Sequence, residues 1–179
     1  MNVNAIMELI LDQGAGRAAV LTKQDIVFDT MFRDICKSNG CGNYGKCYMC
    51  PPDVGEIGEL IEKAQAFSNA VMYQAVYAIE DSFDFEGMQE AGKAFNLCSR
   101  GIHEKAKQMF PEPFLHLAAG GCRTCETCAK RENLPCRSPG HALASLESYG
   151  VDVYRTASRA GLKYTNGANA VTYFGMLLF

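Results

Sequence analysis

Residues 39–52 read NGCGNYGKCYMCPP, and the fold turns on what this stretch is. Gly40 to Lys46 spells G-x-x-x-x-G-K, close to a phosphate-binding loop. Such a loop needs a buried strand before it and a helix directly after it, because loop and helix N–H groups together hold the phosphate. Here the preceding residues, FRDICKSN, read as a helix. After Lys46 the chain runs CYMCPP, where Pro51 and Pro52 lack N–H groups. Met49 and Cys50 must then be extended or turning. Cys47 stands where a hydroxyl should face Mg²⁺, and a thiol is a poor ligand for a hard cation. The stretch is better read as a metal loop, with Cys36, Cys41, Cys47 and Cys50 as its donors. GAGRAA at 14–19 is a second decoy: a dinucleotide fingerprint follows a strand and opens a helix, whereas this one follows a helix and opens a strand.

The cysteines direct the reading beyond this loop. The chain of 179 residues has nine. MNVNAIMELILDQG lacks a basic start and carries Glu8 and Asp12, which is not the pattern of a secretion signal. No apolar run reaches the ~20 residues of a membrane span. The expectation is a cytoplasmic protein, whose compartment keeps thiols reduced and favours metal ligation over disulfides. A net charge of −3 with no basic stripe argues against nucleic acid.

Hydrophobic periodicity gives the body of the chain. Helices are expected at Asn2–Leu11, Thr30–Lys37 with Asp29 as cap, Val54–Phe67 with Asp53 as cap, Glu86–Phe110, His141–Ser148 and Asp152–Ala160. Strands are expected at Ala18–Leu21, continuing after a turn as Asp25–Phe28, and at Ala70–Ile79, Phe114–Ala118 and Val171–Leu178. The alternation predicts one α/β domain over residues 1–179. It has a single mixed sheet flanked by helices and two cysteine-rich metal-binding loops, at 36–52 and 120–139.

Two cysteine sets carry the chemistry. The first is Cys36-x4-Cys41-x5-Cys47-x2-Cys50 and the second is Cys122-x2-Cys125-x2-Cys128-x7-Cys136. C-x2-C-x2-C wraps three thiolates round one turn of loop, which suits three corners of a cubane. Zinc more often takes two separated C-x2-C pairs, or His, and so competes more strongly at the first set. Cys50-Pro51 resembles the Cys-Pro that ends ferredoxin runs. The expected cofactor is therefore [4Fe–4S], two clusters, with zinc as the alternative. Ligation can also cross between sets, as in two-cluster ferredoxins, and spacing does not decide it. Cys98 lies on the long helix and reads as a small apolar residue. Neither set has the C-x3-C-x2-C of common radical enzymes.

The segments CKSNGCGNYGKCYMCPPDVG, LAAGGCRTCETCAKRENLPCRSP and SLESYGVDV, in that order, are similar to a prokaryotic cysteine-rich family of unknown function described as "predicted metal-binding protein", common in anaerobes. The likeness runs from about Cys36 to the C-terminus. Tyr48 stands where the family pattern has Trp, and Val151 where it has Ile. The resemblance implies metal binding through the eight cysteines and supplies no reaction.

Polar residues near the cysteines are candidates to support the metal sites. Tyr44 and Lys46 lie between ligands of the first set, and Arg123 and Arg137 flank the second, where cations stabilise an anionic cluster. His103, His116 and His141 read as packing, surface or capping residues. The expected function is electron transfer or redox chemistry of anaerobic metabolism, with a redox partner protein. The alternatives are an enzyme that binds substrate at an open iron and a zinc-stabilised binding module.

Overall fold

The computed structural model describes residues 2–179. Its centre is β2 (Asn69–Ala78), whose residues Ala70 to Ala75 are all buried. Side chains alternate across a strand, so Ala70 and Met72 enter one core while Val71, Tyr73 and Ala75 enter another on the opposite face. β5 (Ala170–Leu178) does the same, sending Phe174, Met176 and Leu178 to the first face and Leu177 to the second. The first face is covered by α3 (Ile57–Gln65) and α5 (Val153–Arg159), the second by α1 (Val3–Asp12) and α4 (Phe85–Met109).

Five strands complete the sheet in the order β1-β2-β5-β3-β4, with β1 at Arg17–Thr22, β3 at Leu115–Ala118 and β4 at Ala144–Ser145. Neighbours are antiparallel except β3 and β4, which are parallel. The single mixed sheet flanked by helices is thus as the sequence predicts. No helix among the described residues is long and apolar enough to cross a membrane.

Four local expectations change. The helix expected at Thr30–Lys37 starts at Phe32 after Met31, without a side-chain cap from Asp29. The helix expected at His141–Ser148 is instead a short 3-10 turn at Pro139–His141, strand β4, and a second 3-10 turn at Glu147–Tyr149. Pairing of β4 with β3 wins over helix propensity, and Leu146 donates its N–H to Ala118 O at 3.0 Å. The helix after the first loop starts at Ile57, because Cys50 to Gly55 fold into turns and Asp53 is ion-paired with Lys130 rather than capping. Asp25–Phe28 forms no strand beyond a bridge from Phe28 to Val151.

That bridge positions the site. Asp29 N–H donates to Gly150 O at 2.7 Å and Asp152 N–H to Val27 O at 2.8 Å. The chain segment before α2 (Phe32–Lys37) is thereby fastened beside the Glu147–Tyr149 turn, and α2 packs on that turn. Because β3 and β4 run parallel, the residues that follow each strand emerge at one end of the sheet. Gly120–Cys122 and Glu147 therefore arrive together.

Candidate metal centre

The first loop leaves α2 and reverses direction through left-handed residues at Asn39, Gly42 and Gly45. Asn39 Oδ1 accepts the Tyr44 N–H at 3.0 Å, and Gly45 N–H donates to Pro51 O at 2.9 Å. The loop is thus closed on itself, with Cys47 and Cys50 buried at 3% and 8% exposure. Cys36, Cys122, Cys125, Cys128 and Cys136 are half-buried and Cys41 is exposed.

The second loop is clasped to the first. Tyr48 Oη donates to Leu134 O at 2.8 Å, and the Lys130 ammonium lies 5.4 Å from the Tyr48 ring centre while pairing with Asp53. At the crossing point the backbone of Gly121 lies against the first loop. A Cβ there would stand 3.1 Å from Asn43 Nδ2 and 3.4 Å from Cys50 Sγ. Only glycine allows this approach without displacing a neighbour.

The loops interlock so that the cysteines are not grouped as they are in sequence. Cys36, Cys41 and Cys50 line one cavity of about 220 Å³, together with Tyr44, Ser145 and Glu147. Cys47 is on the other side of the wall. With Cys122, Cys125, Cys128 and Cys136 it lines a narrow hollow of about 20 Å³, room for about one water. The Cys47 thiolate is favoured because the Cys50 thiol donates to it. The N–H groups of Met49 and Cys122 and the Cys128 thiol add to this, against the cost of burial. Cys50, as the donor of that pair in a buried position, is pushed up. Burial also raises Cys36, with Arg33 opposing and the charges of Cys41 and Glu147 adding to the rise.

Among the described residues no three His, Cys, Asp or Glu side chains are grouped as a single ion requires. The sulfurs stand in the walls of the cavities. As a donor set, three thiols in one chamber and five in the other suit soft metals and iron–sulfur clusters. The first chamber has room in its present shape. The second would have to widen on loading, and it is built from turns rather than regular elements.

The four expected supporting residues separate too. Tyr44 faces the first chamber. Lys46 and Arg123 face a third pocket, of about 360 Å³, beside Cys47, Cys122, Cys125 and Cys128. Arg137 borders the narrow hollow and donates to Thr127 O at 3.0 Å and to Glu132 at 2.7 Å. Lys93 and Arg131 also line the basic pocket. Lys93 was not legible, since it sits on α4 far from any cysteine loop. Glu147 has no sequence signal beyond its place in the SLESYGVDV segment.

The remaining candidates lie outside the chambers. Cys98 is half-buried on α4, where burial raises its pKa. His116 is buried, with Nε2 2.8 Å from Tyr73 Oη, and His103 stacks on it at 5.7 Å. His141 ends the 3-10 turn and pairs with Glu104.

No curated protein and no solved structure matches the chain. The model of the family described as "Predicted metal-binding protein (DUF2284)" matches residues 19–179, and with its cysteine chambers the chain belongs to that family.

Proposed function

We propose that the chain is an iron–sulfur protein with two metal centres that serves redox chemistry. The observation that carries this reading is the convergence of eight cysteines, from loops about seventy residues apart, on two chambers that share a wall at Cys47 and Cys50. A cluster in each would take up and release single electrons over a short distance.

The chain's own groups support this use. Lys46, Lys93, Arg123 and Arg131, opposed by Glu126, face the sulfurs of the second centre. None of these four cations is ion-paired with a protein carboxylate among the described residues, whereas Lys130 and Arg137 of the same loop are. They offset the negative charge of a thiolate-bound cluster and favour its reduced form. The same face offers an acidic redox partner a place to dock.

A second reading, an enzyme acting at an open iron, is favoured by the first chamber. It offers only three cysteines, and its volume leaves space beside them. In this reading the first centre binds substrate and the second supplies electrons.

Anaerobic purification with iron and sulfide determination tests the proposal. It expects about eight of each per chain, with a broad visible absorbance that bleaches on reduction. Colourless protein with stoichiometric zinc would instead support the zinc-stabilised module.

A further inference from the structure

Resting on the two-centre reading, we infer that Glu147 supplies the fourth, exchangeable ligand of the first centre. Glu147 opens the 3-10 turn that follows β4 and lines the chamber of Cys36, Cys41 and Cys50. Its side chain is half-buried in the chamber wall, beside the buried Ser145. It has no ion-pair partner among the described residues. Arg33, the cation that acts on Cys36, donates from its guanidinium to Gly55 O at 2.7 Å and forms no ion pair with Glu147.

A carboxylate drawn into a cavity wall is ordinarily paired with a cation or coordinates a metal. Here three thiols and one carboxyl face a single cavity, and the positive partner the carboxylate lacks is the metal itself. The fold supports the geometry, because parallel pairing of β3 with β4 delivers Gly120–Gly121 and Glu147 to the same chamber from two strands. A carboxylate oxygen is a harder donor than thiolate and a weaker one for this kind of metal. The iron it holds is therefore the one a substrate can reach, by displacing the carboxylate into the space beside it.

The test uses anaerobically purified full-length protein and the variants Glu147→Ala, Glu147→Gln and Glu147→Cys. Iron content and electron paramagnetic resonance are read on each. Glu147→Ala and Glu147→Gln should lose the exchangeable iron, falling from about eight to about seven iron per chain, with a three-iron signal in the oxidised protein. Glu147→Cys should keep about eight, suppress that signal and lower the potential of one centre only. Unchanged iron and spectra in both Glu147→Ala and Glu147→Gln would overturn the assignment while leaving the two-centre reading intact. Wild-type protein without iron would overturn both. If Glu147→Ala does not fold, Glu147→Gln and Glu147→Cys decide the matter alone.

Discussion

The partition of the cysteines can be tested in a background where one centre is already gone. Cys125 and Cys128 border only the second centre, so Cys125→Ala/Cys128→Ala, which leaves it three thiols, should remove about four of about eight iron and leave the first centre loaded. Adding Cys47→Ala to that variant should change nothing further, because Cys47 lines the second hollow and the basic pocket and does not line the first chamber. Adding Cys50→Ala instead should remove the remaining iron, leaving about zero, because Cys50 belongs to the first chamber. The two substitutions differ by three positions in the chain, yet they are expected to differ by a whole cluster. Iron and sulfide assays on anaerobic protein read the outcome, with circular dichroism to show that each variant is folded. If adding Cys47→Ala to that background also brings the iron to about zero, the cysteines are grouped by sequence and the chamber assignment is wrong.

Three further outcomes follow from the frame around the site. Burial holds His116 down to about 3, so it is neutral in the folded state and protonates in the unfolded state below about 6.5. Its contribution to stability is complete above that value and lost as pH falls, about 2 kcal/mol between pH 6.5 and 5, and His116→Gln should flatten this slope in urea titrations. An unchanged slope in the variant would show that His116 is not the group responsible. Gly175 stands opposite Tyr73, and a Cβ there would come within 2.2 Å of the phenol, so Gly175→Ala should cost about 2 kcal/mol or more by denaturant unfolding. A cost near zero would mean that Tyr73 has room to move. Asp53→Ala removes the partner of Lys130 and loosens the clasp between the loops. Metal transfer to a chelator should become roughly tenfold faster, and an unchanged rate would show the clasp to be irrelevant to retention.

Much of the frame was legible because it depends on local pattern. The alternation in β2 and β5 and the helical spacing in α4 are set by which residues face apolar cores, and those appear in the order of the chain. Asp152, at the start of the expected helix, is of the residue type that caps, and its carboxylate accepts the Arg155 N–H at 2.9 Å. β4 was not legible. Two residues are too short for a strand pattern, and their conformation comes from pairing with β3.

The candidate site divides along the same line. The sequence by itself determined that eight thiols lie in two glycine-jointed loops, and that the G-x-x-x-x-G-K stretch is no phosphate loop, because the prolines and Cys47 forbid it locally. Only the tertiary structure decided which thiols share a chamber. That depends on where two distant loops cross, at Gly121 against Cys50. It also decided that Glu147 faces three of the thiols, through a parallel strand pair in which Leu117 meets Ala144 and Ala118 meets Ser145, 27 positions apart. Spacing counts residues along a chain, whereas a metal site is selected by distance in space, and the interlocked loops set these two measures apart.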